Sequence, residues 1–189
     1  MFFQPFFKTV IEKMRALSLD EISAVLQRKK RPVQFFRYKD LPDDAGELAL
    51  LLLTHPARFL FHEESKNSDV GHWTALVRRD NHICWFSSYG FLPDGELMVS
   101  AEMRKAPGQH FNKISRALHY LHDRGYVIHF CSVPLQRVGD GSVSCGIWCL
   151  YFLTSRIQDF ETLERKLAAI TVPEAYAQKI FEGEFGSSE

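Results

Sequence analysis

The sequence predicts an α+β domain, and three observations carry that reading. Between Val33 and Val133 the chain breaks into short runs rich in Phe, Val, Ile, Tyr and Trp, bounded by Gly, Pro, Asn and Asp, the texture of strands and turns. The two ends instead read at helical period, and the run Cys145 to Leu153 is apolar and free of Pro, as suits a buried helix. With 189 residues and 46% hydrophobic content, the chain has material for one sizeable core and is short for two, so a single domain is expected over 1–189.

In chain order, Ser18 followed by Glu21 predicts a capping box, with Leu17 and Ile22 as its hydrophobic staple, opening a helix from about Leu19 to Lys29. Arg28-Lys29-Lys30-Arg31 before Pro32 ends it, since cations suit the C-terminal dipole and proline cannot continue the helix. Residues 1–32 are read as a helical N-terminal extension. Val33 to Tyr38 and Arg58 to His62 read as strands separated by a short helix around Leu48–Leu53. Trp73–Val77 and Ile83–Phe86 flank Arg78-Arg79-Asp80-Asn81 as a hairpin, which places His72 and Ser87 at one end of neighbouring strands. A loop with Pro93, Gly95, Pro107 and Gly108 precedes a helix from about His110 to Arg124, with Gly125 as its C′ residue. Tyr126–Val133 is the next strand and delivers Gln136 at its end. Gly139, Gly141 and Ser142 turn into the Cys145 helix; Glu161–Ile170 and Glu174–Phe181 close the fold, and 183–189 is read as a flexible tail.

Lys+Arg and Asp+Glu are both 23, so charge balance does not point to a nucleic-acid or membrane surface as partner. Four cysteines in a chain of this size do not suggest a secreted disulfide framework, and a reactive thiol requires a reducing compartment, which predicts a cytoplasmic protein. Met1 to Phe7 has no basic n-region, and 143–153 is too short to span a bilayer. The basic run 28–31 is read first as a solvated helix end and second as a nuclear-import signal.

Two motifs carry chemistry. Gly71-His72-Trp73 supplies a base, Ser144-Cys145-Gly146 a nucleophile, and Gln136 an amide donor just upstream. Only the thiolate attacks well, so a nucleophilic cysteine needs a positive neighbour, a helix N-terminus, or both. Cys145 opens an apolar helix whose free N–H groups favour negative charge, and His72 would take the thiol proton and return it to a leaving amine. The Gln136 amide would point at the oxyanion beside the Cys145 N–H. A lone cysteine before an apolar helix is most often a small buried hydrophobe. What weighs against that reading is the order His, aromatic-Ser-Ser-Tyr-Gly, Gln, Cys-Gly.

That order resembles the adenovirus-type (adenain-like) endopeptidases and the related proteases of SUMO and other ubiquitin-like proteins. The matching stretches are Val70 to Leu76, Trp85 to Gly90, Leu135-Gln136 and Ser142 to Cys149, within roughly residues 33–155. The Gln-to-Cys spacing is closer to the viral branch. The resemblance implies a papain-like cysteine protease fold: a small central mixed sheet flanked by helices, with the nucleophile at the N-terminus of a central helix. It implies His72, Cys145 and Gln136 as catalytic residues, and Trp73, Gly71, Ser144 and Gly146 beside the substrate. No cofactor is implied. The substrate would be a polypeptide, either a viral polyprotein cut at Gly-containing sites or the Gly-Gly tail of a ubiquitin-like protein, acted on by a monomer. A viral endopeptidase is the first choice, a deubiquitinase or SUMO protease the second, and a catalytically weak binding domain the third.

One departure matters. Where the family carries Asp, Glu or Asn, this chain has Ser87, whose hydroxyl can orient His72 but brings no charge. Asp80, Asp94 and Glu96 are the carboxylates that could substitute, and the sequence does not choose among them. Finally, His82/Cys84 and His129/Cys131 share strand faces and would converge as zinc ligands if their strands were neighbours, but this spacing is not that of Cys knuckles and no metal is expected.

Overall fold

The computed structural model describes residues 15–63, 71–99, 101–105, 108–109, 112–139, 143–155 and 159–185. The elements are α1 (Leu19–Arg28), β1 (Gln34–Arg37), a 3-10 turn (Tyr38–Asp40), α2 (Ala45–Leu53), β2 (Ala57–Glu63), β3 (Gly71–Arg79), β4 (His82–Ser87), α3 (Glu96–Val99), α4 (Ala101–Lys105), α5 (Lys113–His122), β5 (Val127–Cys131), α6 (Cys145–Thr154), α7 (Phe160–Ala168) and α8 (Pro173–Phe185). This is a mixed α+β fold around a central sheet, as the composition of its segments predicts. The strands lie in sequence order, β1 to β5. β1 runs parallel to β2 and β4 parallel to β5, while β2, β3 and β4 are antiparallel. The parallel pairs are those whose connections hold helices long enough for a crossover: α2 between β1 and β2, and α3 to α5 between β4 and β5.

Strand alternation divides the core in two. Phe61, Trp73, Ala75, Val77, Cys84 and Phe86 face α1, α6, α7 and α8. Leu60, Leu76, Ile83 and Trp85 face α2 and α5 on the other side. α6 is apolar all round and correspondingly enclosed, with eight of its ten residues buried.

Several local expectations hold in detail. Ser18 and Glu21 form the capping box, and Leu17 and Ile22 are both buried as its staple. The Glu21 carboxyl is held down to about 2, chiefly by its hydrogen bond from Arg15. The β3–β4 hairpin turns at Asp80, whose φ of 53° is left-handed.

Three differences have physical causes. α1 is not an extension: Ile22, Val25 and Leu26 are buried in the same core as α6, so this segment covers one face of the sheet. Residues 1–14 of the expected extension lie outside the described residues. Residues 183–185 of the expected tail belong to α8, where Glu184 accepts from Arg28 at 2.8 Å and pairs with Lys29, while 186–189 lie outside the described residues. Part of the basic run 28–31 is thereby given to tying the chain ends together. The stretch read as loop after Gly90 contains α3 and α4, too short to show a helical period.

Candidate functional site

β3 opens with Gly71-His72, and glycine is required there by close approach. A Cβ on Gly71 would sit 2.1 Å from the His62 carbonyl oxygen and 2.7 Å from Phe61 Cζ. Gly71 thus has a structural reason to lack a side chain, independent of any substrate. His72 follows, 2% exposed. The Tyr89 ring stacks on its imidazole at 4.2 Å and 13°. Its Nε2 lies 3.4 Å from Ser87 Oγ and 3.8 Å from Glu96 Oε1. Ser87 Oγ also accepts from the Tyr89 N–H at 3.3 Å. The ring is therefore held by a flat stack and by contacts at one nitrogen, which leaves Nδ1 as the end directed elsewhere.

Of the three carboxylates the sequence offered, the structure brings only Glu96 to His72. Asp80 is in the hairpin turn at the opposite end of the strands. Asp94 caps α5, accepting from the backbone N–H of Ile114 at 3.3 Å and of Ser115 at 2.8 Å, and from the Tyr38 hydroxyl. That anchorage fixes the 92–97 turn, in which Gly95 N–H bonds Leu92 O and Leu97 N–H bonds Asp94 O, and turns Glu96 and Leu97 inward to full burial. Neither Glu96 carboxyl oxygen has a hydrogen-bond partner of proper geometry among the described residues. Burial pushes its pKa up to about 7, against the opposing influence of the nearby Ser87 hydroxyl. Burial also drives His72 well below the usual imidazole range, and the neighbouring His62 adds to this.

Gln136 follows β5 and is 4% exposed. Ser88, directly after Ser87, holds it twice: Ser88 Oγ donates to Gln136 Oε1 at 2.7 Å, and the Ser88 carbonyl accepts from the N–H groups of Leu135 and Gln136 at 2.8 and 2.9 Å. With Oε1 engaged, the carboxamide is held in one orientation. Gly90, at φ +71°, permits this pairing, because a Cβ there would meet the Ser132 carbonyl oxygen at 2.7 Å.

Cys145 is the first residue of α6, where backbone N–H groups have no intrahelical acceptor. The contacts of α6 fix its direction. Phe152 stacks on Phe86 at 4.7 Å, Cys149 Sγ donates to the Trp73 carbonyl at 3.3 Å, and a Cβ on Gly146 would lie 3.4 Å from Trp73 Cδ1. Because Phe86 pairs with Ala75, these contacts step from row 75 to row 73 and beyond as the helix is followed toward its start. The start of α6 therefore lies at the end of the sheet where β3 begins and β4 ends, the same end that carries His72, Ser87 and the Ser88–Gln136 pair. By alternation, His72 and Ser87 belong to the face opposite α6. Ser144 is fully buried at the helix cap, and Gly146 faces Leu17, Ile22 and Trp73 in the core.

All four cysteines are thiols. Cys149 is pushed well above the usual thiol range by burial, with Cys145 and Glu96 near enough to add to the shift. Burial likewise raises Cys84, and Cys131 to about 11. These are the conditions of inert, packed thiols. Trp73, between Phe61 at 4.5 Å and Phe35 at 6.5 Å, forms part of the wall of a cleft of about 480 Å³ that also includes Leu17, Asp20 and Arg37.

β4 and β5 are indeed neighbours, and His82 Nδ1 lies 2.9 Å from His129 Nε2. Among the described residues, however, no three His, Cys, Asp or Glu side chains converge on a metal position. No helix there is long and apolar enough to cross a membrane. Sequence reasoning left Glu96 as one of three equal candidates and gave Ser88 and Tyr89 no separate role, since contacts between a strand end and a later turn leave no periodic trace.

The chain is 29% identical over 141 residues, 71% of its own length and 73% of the relative's, to a protein of the Sputnik virophage described as "Uncharacterized protein V9". No family model matches the chain.

Proposed function

We propose that the protein is a cysteine endopeptidase with a papain-like arrangement, of the adenain-like type that its motifs resemble. The reading is supported by Cys145 as the first residue of α6, by the Ser87 hydroxyl at one nitrogen of His72, and by the Gln136 carboxamide held through its oxygen by Ser88. Likeness to a virophage protein is in keeping with the viral branch of that resemblance, for which a polyprotein cut at Gly-containing sites is the substrate we take first.

In this mechanism Cys145 gives its proton to His72 Nδ1 and attacks the scissile carbonyl. Gln136 Nε2 and the Cys145 N–H donate to the oxyanion, His72 protonates the leaving amine, and water activated by His72 releases the acyl group. Ser87 supports the imidazole from the Nε2 side. The test is a library of peptides spanning Gly-containing junctions, run beside ubiquitin and SUMO fluorogenic substrates, with products identified by mass spectrometry. Cys145→Ala abolishes cleavage while the fold is kept; Cys149→Ala and Cys84→Ala retain most activity, since both thiols lie in the packed core. Cleavage of the ubiquitin-like substrates alone would move the reading to a deubiquitinase or SUMO protease. Failure of a thiol-directed suicide probe to label Cys145 would leave a binding domain.

A further inference from the structure

We propose that Glu96 is the residue that positions and charges His72, supplied from a separate short helix in place of the carboxylate that strand position 87 lacks. This rests on the reading of Cys145 and His72 as a nucleophile and its base. The geometry consists of three facts. Glu96 is fully buried, its Oε1 is 3.8 Å from His72 Nε2, and its two oxygens have no hydrogen-bond partner of proper geometry among the described residues, the Ser87 hydroxyl being the polar group near them. A buried carboxyl so weakly partnered is costly to folding. Among the described residues, the group at its Oε1 that can become a cation is the His72 imidazole.

The groups facing the pair are few. His62 lies on the adjacent strand, paired in register with His72. Ser87 and Tyr89 come from the end of β4. Asp94 precedes Glu96 in its turn and acts on the carboxyl as a like charge, and Cys149 of α6 is within electrostatic reach of Glu96. Among these described residues the buried His62 stays neutral and none of the others is a cation, which leaves a proton or His72 to neutralise a charged Glu96.

The consequence is a proton count. With Glu96 protonated, the resting site holds a carboxylic acid, a neutral imidazole and a thiol. Loss of one proton from Glu96 gives a carboxylate, beside which the thiol proton can move to His72 to form imidazolium and thiolate, with the carboxylate stabilising the cation. Thiolate formation thus acquires an acid limb near the Glu96 value of about 7. Ser87 shares the orientation of the ring but carries no charge through this cycle.

The experiment is the rate of Cys145 carboxamidomethylation by iodoacetamide, followed by mass spectrometry from pH 5 to 9, in the wild-type chain, Glu96→Gln, Glu96→Asp and Ser87→Ala. The expected result is a limb near neutrality in the wild type. Glu96→Gln loses that limb and is about 10- to 100-fold slower on the plateau, the size of one opposite charge at this range. Glu96→Asp keeps the limb, and Ser87→Ala keeps it with a smaller loss of rate. A Glu96→Gln profile superimposable on the wild type overturns the proposal. Should Cys145 be unreactive even in the wild type, the peptidase reading falls, and the pairing is decided by NMR titration of His72 in Cys145→Ala. There the imidazole titrates higher than in Cys145→Ala/Glu96→Gln, and identical midpoints overturn the proposal.

Discussion

Glu96→Gln makes a stability prediction that is independent of substrate. The Glu96 carboxyl moves from an ordinary 4.5 in the unfolded chain to about 7 in the fold, so the folded state holds its proton more tightly. Stability from this group is therefore fully present below pH 4.5 and is lost as pH rises through 7. At 1.36 kcal/mol for each pH unit of that interval, the loss is about 3 kcal/mol. The buried histidines act in the opposite direction. Burial lowers His62 to about 3 and His72 well below 6.5, so both favour the unfolded chain as pH falls below 6.5. The His62 effect is common to both proteins and cancels in the difference, whereas any change in His72 titration on losing Glu96 adds to it at the acid end. Urea denaturation of wild type and Glu96→Gln, from pH 4.5 to 8, measures that difference directly. The two are nearly equal in stability at the acid end, and the variant becomes more stable by up to about 3 kcal/mol above pH 7. A variant that is more stable yet slower at Cys145 is the signature of a group kept for chemistry at a cost in folding. A difference that stays flat across the pH range would refute the argument that Glu96 is buried and ionisable.

The remaining predictions concern how the site is held. Gly71→Ala forces a methyl group against the His62 carbonyl at the start of the β2–β3 pairing, and is expected to cost about 1–3 kcal/mol or more, lowering Tm by several degrees in a thermal melt. An unchanged Tm would mean the strands part there freely. Ser88→Ala removes the donor to Gln136 Oε1 and lowers stability by about 0.5–1.5 kcal/mol. It also lowers kcat for peptide hydrolysis with KM little changed; a loss confined to KM would make Gln136 a substrate-binding residue.

Much of the fold was legible because it is written locally. The capping box at Ser18, the apolar run after Cys145, and the two runs flanking Asp80-Asn81 each carry their structure within a few residues, since caps, turns and periodicity are short-range effects. The residue types and order of His72, Gln136 and Cys145 carry the proposed chemistry by resemblance. Sequence alone could not choose among Asp80, Asp94 and Glu96, which lie 8, 22 and 24 residues from His72 and are chemically alike. The choice was made by the tertiary fold. A hairpin carries Asp80 to the far end of the strands, the first turn of α5 and Tyr38 take up Asp94, and that anchorage turns Glu96 inward beneath the imidazole. Helix α1 likewise looked like an appendage to the sequence and became one wall of the core, because an amphipathic face does not specify the surface that buries it. Local rules act over a turn of chain, whereas burial and charge pairing depend on which distant segments the packed core brings together.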